Sequence, residues 1–410
     1  MNEFDVAKVT EDIINFIKKH FKDNGLDGII MGISGGKDSM IASALFTKAL
    51  GSENVIGITM PCHSITSDTN DAKRVADFLG FKLYTLDLTN IYDTFLNALI
   101  KELEINDEDI LKEANINLKP RLRMSSLYYF TQSLSIKNNK KYIVAGTGNK
   151  SEITIGYFTK WGDGASDINV LADLTVNEVI TIGDYLGIPK DLVHKTPSDG
   201  LSGSSDEEKL GFTYNEVEAF LNGKNVNPKI INMYQNTNHK RKPITIFNKN
   251  NIDDAIKEMI KILKHQNKTI STMESCTSGM LASTITNIDD SSTILKFSAI
   301  TYSNEYKIKM GVDKDIIDKY SVYSKEVSIE MAKKTTLYAN SNYGVGITGK
   351  LGIEDKNNPY GDDNKVYITL YNKDKDIYNS FDMIVFEDNR GLGKKKVTEM
   401  VIIKLLEFIK

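Results

Sequence analysis

The sequence predicts an α/β protein: a doubly wound parallel sheet, followed after a linker by a second, smaller α/β domain. Three observations predict it. Short apolar runs of strand length, such as Ile29 to Ile33 and Val55-Ile-Gly-Ile-Thr-Met60, alternate with segments of helical period, the pattern of β-α units that build a parallel sheet. The first run feeds a glycine turn, Ser34-Gly-Gly-Lys-Asp-Ser39, that opens a helix. A polar break from Lys242 to Ile252, with Pro243 and Asn248-Lys-Asn-Asn251, precedes a second strand–turn–helix unit that begins at Thr269. A chain of 410 residues has room for roughly two to three domains. The expected division is 1–246 and 252–410.

Taken in order, Asp5 to Asn24 places Val6, Val9, Ile13, Ile17 and Phe21 at helical spacing. The strand Ile29 to Ile33 follows, then the turn, then a helix from near Asp38 with Met40, Ile41, Ala44 and Leu45 on its apolar face. Gly35 and Gly36 expose backbone N–H groups in front of a helix N-terminus, which suits a phosphate chain. The turn is not a P-loop, because Asp38 stands where that motif has Ser or Thr. A carboxylate there suits Mg²⁺ held against phosphates. Strands follow at Val55–Met60, Lys82–Leu88 and Lys141–Gly146, with a helix at Asp68–Leu79. In such sheets ligands sit beyond the carboxyl ends of the strands. The Gly32–Ser39 loop occupies one such end, and Thr147 and Glu152 another.

Beyond the linker, Asp253 to Gln266 reads as an amphipathic helix and Thr269 to Met273 as a strand. Glu274-Ser-Cys-Thr-Ser-Gly279 then opens a helix, again a plausible anion site. A helix over Ser324–Tyr338, strands at Tyr343–Gly349, Lys365–Leu370 and Phe381–Phe386, and a final helix from Gly393 complete the chain.

Composition narrows the function. A formal net charge of −4 gives no basic surface for nucleic acid. No apolar run approaches the ~20 residues that span a bilayer. The start, Met-Asn-Glu-Phe-Asp-Val, lacks the basic residues and apolar core of a signal peptide. Cys62 and Cys276 are too few and too far apart for a disulfide framework or a zinc site. The expectation is a cytoplasmic protein with small-molecule partners, no nucleic acid and no membrane.

Ser34-Gly-Gly-Lys-Asp-Ser39 resembles the pyrophosphate loop (PP-loop) of the adenine-nucleotide α-hydrolase-like enzymes. Around it stand Asn117-Leu-Lys-Pro-Arg-Leu-Arg-Met124, Gly146-Thr-Gly-Asn-Lys-Ser-Glu152, Gly156-Tyr-Phe-Thr-Lys-Trp-Gly-Asp-Gly164, Lys195-Thr-Pro-Ser198, Ser205-Asp-Glu-Glu208 and His239-Lys-Arg241. In this order and spacing they resemble ammonia-dependent NAD⁺ synthetase over residues 5–245. That resemblance implies ATP-dependent amidation of deamido-NAD⁺ with ammonia, through an acyl-adenylate, in a homodimer or higher oligomer. It implies ATP binding by Gly32, Ile33, Ser34, Gly35, Gly36, Lys37, Asp38, Ser39, Thr147 and Ser198, and Mg²⁺ ligation by Asp38 and Glu152. It assigns deamido-NAD⁺ to Arg121, Lys160, Asp167, His239 and Lys240, and places Asp163 where the family has an acidic residue near the reacting carboxyl; since ammonium dominates at neutral pH, a buried carboxylate there is expected to hold that cation while it deprotonates. Where the family carries a phosphate-gripping Lys this chain has Val176, so either another cation, Lys37 or Lys150, supplies that charge or ATP binds more weakly. Pro197 to Leu210 reads as a lid.

Glu274-Ser-Cys-Thr-Ser-Gly279, Thr301-Tyr-Ser-Asn-Glu305 with Lys307, and Thr348-Gly349 resemble the CinA-like C-terminal domain, which includes nicotinamide mononucleotide (NMN) amidohydrolases. The resemblance implies a catalytic Ser292, Tyr302 and Lys307, and NMN binding by Glu274, Ser275, Thr277, Thr348 and Gly349. Cys276 is a rival nucleophile. Two glycine departures, Ser278 and the stretch Lys350 to Pro359, leave a non-catalytic nucleotide-sensing or oligomerisation module as the alternative for this half.

Overall fold

The computed structural model describes residues 4–410 apart from 65, 106, 108–109, 111–113, 196–205, 225–226, 248–250, 353–357, 359–360 and 388. The chain divides into two compact units, Met1–Ile244 and Thr245–Lys410.

In the first unit, strands β1 (Gly28–Gly32), β2 (Val55–Thr59), β3 (Lys82–Thr85), β4 (Tyr142–Gly146) and β5 (Ile168–Asn169) form one sheet in the order β3-β2-β1-β4-β5. Every pairing is parallel. Side chains of β1 alternate between faces, as a pleated strand requires. Ile29 and Met31 pack on helices α1 (Val6–Asn24) and α2 (Lys37–Leu50). Ile30 packs on the other face with Tyr92 of α4 (Thr89–Leu103) and Leu134 of α5 (Leu118–Asn138). The remaining early helix, α3 (Thr66–Leu79), joins the α2 face through Ala72, Val75 and Ala76. From β1 the chain builds outward through β2 and β3 on one side, while β4 and β5 lie on the other. The sheet therefore reverses direction between β1 and β4, and the crevice where ligands bind opens there.

After β4 come α6 (Lys150–Ile155), α7 (Val176–Tyr185), α8 (Lys190–Val193), α9 (Asp206–Leu210), α10 (Tyr214–Leu221), α11 (Pro228–Asn236) and α12 (Asn238–Arg241). A small apolar cluster of Ile155, Phe212, Val217 and Ile230 seats α10 and α11 against α6.

The second unit has a mixed sheet, ordered β10-β9-β8-β6-β7. Strands β6 (Ile270–Glu274), β7 (Leu295–Ile300) and β8 (Tyr343–Gly349) are parallel. Strands β9 (Lys365–Asn372) and β10 (Ile377–Ile384) run antiparallel beside them. Helices α13 (Ile252–His265) and α18 (Arg390–Ile409) cover one face with Ile256, Met259, Leu263, Val397, Val401 and Leu405. Between them in sequence lie α14 (Met280–Thr286), α15 (Asn304–Lys309), α16 (Lys314–Tyr320) and α17 (Lys325–Ala339). Helix α17 lies directly on β8. A Cβ at Gly344 would stand 2.3 Å from Ala332 O, and one at Gly346 2.2 Å from Ser328 O. Here too the sheet switches direction, between β6 and β8.

Candidate active sites

Helix α2 starts at Lys37, with Gly36 as an N-cap that makes no side-chain hydrogen bond. Its first N–H groups have no intrahelical partner, which is the basis of anion binding at helix starts. Gly35 adopts φ 81°, and a Cβ there would meet Asp68 O at 2.4 Å, so only glycine fits. Gly32 ends β1, and Ile33 N donates to Ile58 O at 2.9 Å, which aligns the turn with the sheet edge. The hydroxyls of Ser34 and Ser39 lie 3.2 Å apart, and Ser39 Oγ donates to Gly36 O at 3.0 Å. The loop is thus braced by its own serines.

Lys37 is buried, and its Nζ lies 2.7 Å from Asp38 Oδ2. The other Asp38 oxygen accepts from Asn149 Nδ2 at 3.1 Å. Asn149 is fully buried and caps α6. Its Oδ1 accepts from Glu152 N at 3.1 Å, and its own N–H donates to Glu152 Oε2 at 3.3 Å. One residue therefore holds both acids at the crevice between β1 and β4. Burial, and after it the charge of Asp38, push the Glu152 carboxyl up to about 8. Two oxygen-donor acids that repel one another in a partly desolvated hollow are suited to a hard divalent cation. Among the described residues no cluster of three His, Cys, Asp or Glu side chains could hold a metal, so the remaining ligands would be phosphate and water. Asn149 was not among the sequence candidates. Its signal was the capping-box spacing Asn149-x-x-Glu152.

Other expected residues fall into two groups. Lys160 Nζ donates to His239 O at 2.7 Å and Lys242 O at 3.2 Å, while Lys240 Nζ donates to Gly156 O at 2.8 Å and Phe158 O at 2.7 Å. His239 Nδ1 lies 3.1 Å from Asn236 O. Lys160, His239 and Lys240 thus meet where α12 packs on the segment after α6. Asp167 stands apart from them and accepts from Tyr128 Oη at 3.2 Å and Val144 N at 2.8 Å. Arg121 is exposed, and Thr147 is half-buried just past β4. Asp163 accepts from Thr159 N at 3.0 Å; its residue surface is partly open, yet burial of the carboxyl raises it above the ordinary carboxylate range. Ser198 and most of the expected lid lie outside the described residues. Just before them, Lys195 Nζ donates to Asp68 and Asp71, each at 2.8 Å. At Val176 the side chain is buried. Lys150 pairs at 2.8 Å with Asp173, a fully open surface acid, so of the two candidate cations Lys37 is the one beside the acids.

In the second unit the expected trio is not assembled. Ser292 is exposed in a 3-10 turn, Ser291–Thr293, before β7. Lys307 follows the other end of β7, and a six-residue strand spans about 20 Å. The hydroxyl beside Lys307 is that of Ser275: Nζ lies 3.0 Å from Ser275 Oγ and 2.7 Å from Thr301 O. Ser275 and Lys307 are both buried. They meet because β6 and β7 are neighbours that end in register, Glu274 opposite Ile300. Tyr302 is exposed, and its hydroxyl accepts from Arg390 Nη2 at 3.1 Å.

Two assigned nucleotide ligands, Glu274 and Thr277, are also corrected. The Glu274 carboxylate accepts from Gly279 N at 3.0 Å, Leu281 N at 3.1 Å, Ala282 N at 3.0 Å and Thr277 Oγ1 at 2.7 Å. It fills the start of α14 itself, so no anion site remains there. Thr348 Oγ1 is spent on Val322 O at 2.8 Å, and Gly349 is required by β9, since a Cβ would stand 2.5 Å from Val366 Cα. Cys276 is fully enclosed, and burial pushes its thiol up to about 12. Burial thus favours the neutral thiol over the nucleophilic thiolate.

Residues 9–251 match the family model for NAD synthase, and residues 252–409 match that for the CinA C-terminal domain. An NH₃-dependent NAD⁺ synthetase of Carboxydothermus hydrogenoformans is 39% identical over 213 residues, covering 52% of this chain and 84% of the relative. One of Alkaliphilus metalliredigens is 36% identical over 245 residues, covering 58% and 96%. A solved NMN synthetase from Francisella tularensis is 32% identical, with 60% of this chain and 100% of that one covered at a TM-score of 0.53.

Proposed function

The chain belongs to the NAD synthase family through residues 9–251, and from that premise we propose that its first unit amidates deamido-NAD⁺ with ammonia, using ATP. The nicotinate carboxylate attacks the α-phosphorus, the bond to the β-phosphate breaks, and diphosphate leaves. Ammonia adds to the acyl carbon of the adenylate, loses a proton and expels AMP. Lys37 and the N-terminus of α2 receive the phosphates. Asp38 and Glu152 would hold Mg²⁺, which when bound offsets charge on the leaving diphosphate. The single observation that carries this reading is Asn149 holding both acids beside Lys37 at the sheet's switch point.

The second unit hydrolyses NMN to nicotinate mononucleotide and ammonia. Ser275 Oγ adds to the carboxamide carbon as unprotonated Lys307 Nζ takes its proton. The same nitrogen returns that proton to the departing ammonia, and water cleaves the ester. The Ser275–Lys307 contact of 3.0 Å and the CinA match support it, and a Ser–Lys pair is a known variant of serine catalysis.

The test is a product assay on the purified chain with ATP, Mg²⁺ and ammonium, offered deamido-NAD⁺ or nicotinate mononucleotide. NAD⁺, AMP and diphosphate in equal amounts from the dinucleotide are expected. Turnover of the mononucleotide alone would move the reading to the activity named for the Francisella relative. NMN supplied without ATP should yield nicotinate mononucleotide.

A further inference from the structure

Two further acids stand against the turn that would seat phosphate. Gly35 lies so close to α3 that a Cβ there would meet Asp68 O at 2.4 Å and Asp68 Cα at 2.9 Å. Asp68 and Asp71 are one helical turn apart on α3, which puts their carboxylates side by side, and both residues are half-buried. One ammonium answers both. Lys195 Nζ donates to Asp68 Oδ1 and to Asp71 Oδ2, each at 2.8 Å, and it reaches Gly35 O, in the turn itself, at 3.5 Å. The chain before Lys195 is held in place by Arg74 of α3, whose guanidinium donates to Asp191 of α8 at 2.7 Å and to Asp71 at 3.2 Å. These three carboxylates share the two cations, and among the described residues Asp68 pairs with Lys195 alone. Arg74 is exposed and open to screening by salt, whereas Lys195 is half-buried.

A polyphosphate brought to Gly35 meets these acids at short range, where like charges repel strongly because little water lies between them. We propose that Lys195 is a positioning residue for ATP: it holds the Asp68 and Asp71 carboxylates to itself, so that the turn at Gly35 accepts phosphates without opposing charge behind it. Lys195 acts through the two acids and is not required to touch the nucleotide. The inference rests on the reading that this turn seats the phosphates of ATP.

The experiment is calorimetric binding of two probes to the full chain with Mg²⁺, at low and high salt. One probe is α,β-methylene-ATP, which cannot be cleaved at the reacting bond, and the other is AMP, which brings less charge to the turn. Lys195→Met keeps the length of the side chain and removes its charge. It should weaken α,β-methylene-ATP about 10-fold at low salt and AMP by less than about three-fold, and the larger loss should shrink at high salt. Lys195→Arg should bind both probes nearly as the unaltered chain does. Adding Asp68→Asn and Asp71→Asn to Lys195→Met should bring α,β-methylene-ATP back to within about three-fold of the unaltered chain, because no acid is left to cancel. Unchanged affinity in Lys195→Met overturns the proposal. Equal weakening of the two probes, or a triple variant that stays as weak as Lys195→Met, also overturns it, because lost bracing of the turn would then explain the effect. If the unaltered chain itself binds no α,β-methylene-ATP, the phosphate reading of the turn fails first and the proposal falls with it.

Discussion

The two units set the same device at the same place and finish it differently. Each sends a central strand into a tight turn and a helix where the sheet reverses, β1 into α2 and β6 into α14. In the first unit the helix start is left open: Gly36 caps without a side chain, and the acid of the first turn, Asp38, looks outward to Lys37 and Asn149. In the second, Glu274 turns back and takes N–H groups of Gly279, Leu281 and Ala282. An anion of the protein's own sits where the first unit would seat phosphate. One turn is left open to charge and the other is a sealed joint, beside which Ser275 meets Lys307.

The comparison breaks most visibly at the serines. Ser275→Ala should lower NMN hydrolysis by about 10³-fold or more, while Ser292→Ala should leave it within roughly two-fold, because Ser292 lies at the far end of β7. Steady-state ammonia release from both variants decides it. The reverse ranking would restore Ser292 and remove the Ser275–Lys307 pair.

Exchanging the acid in each turn sharpens the contrast. Glu274→Ala strands three backbone donors and the Thr277 hydroxyl, so the second unit should lose about 3 kcal/mol or more, read as an early unfolding transition. Asp38→Asn should cost about 100-fold in amidation yet shift unfolding little, since among the described residues Asp38 braces Lys37 and Asn149. If Asp38→Asn proves the more unstable of the two, the open-versus-sealed distinction is wrong.

The acids also give the first unit a pH signature. The folded Glu152 carboxyl titrates near 8 against an ordinary 4.5, so the folded chain holds that proton more tightly than the unfolded one. Its contribution to metal-free stability is fully present below about pH 4.5 and is lost as pH rises through about 8. Between those limits the unfolding temperature should fall with pH, and Glu152→Gln should flatten the fall. Mg²⁺ with ATP should stabilise the unaltered chain more at the upper limit than at the lower.

What could be read in advance was whatever is local in sequence. Ser34-Gly-Gly-Lys-Asp-Ser39 has a fixed spacing after a strand, and such a turn needs Gly35 at φ 81°, so its place in the sheet was legible. Glu152 was legible through its own motif, and Asn149, three residues before it, carried a cap signal that was read only as motif context. The failures were tertiary. Ser275 and Lys307 are 32 positions apart and meet only because β6 and β7 pair in register. Glu274 was assigned as a ligand through the resemblance of its motif, and only the backbone path of α14 shows its carboxylate turned inward.

The weakest test concerns the cation that replaces the missing lysine at Val176. Lys37 and Lys150 both follow a strand of the central pair and both stand near an acid, so the sequence left them equal. Their surroundings separate them. Lys37 is 3% exposed and bonded to Asp38, whereas Lys150 is 39% exposed and its partner Asp173 is 95% exposed. Exposed pairs of the second kind contribute about 0–1 kcal/mol and are screened by salt. Lys150→Ala should therefore change the KM for ATP by less than about two-fold and leave unfolding within about 0.5 kcal/mol. Lys37→Ala should raise that KM many-fold, because it removes a buried ammonium bonded to Asp38 and leaves the repulsion of the acids less compensated. An ATP titration of both variants at low and high salt reads the difference. A salt-sensitive loss in Lys150→Ala would mean that the open turn draws phosphate through surface charge, and not through the enclosed Lys37 on which its contrast with the sealed turn depends.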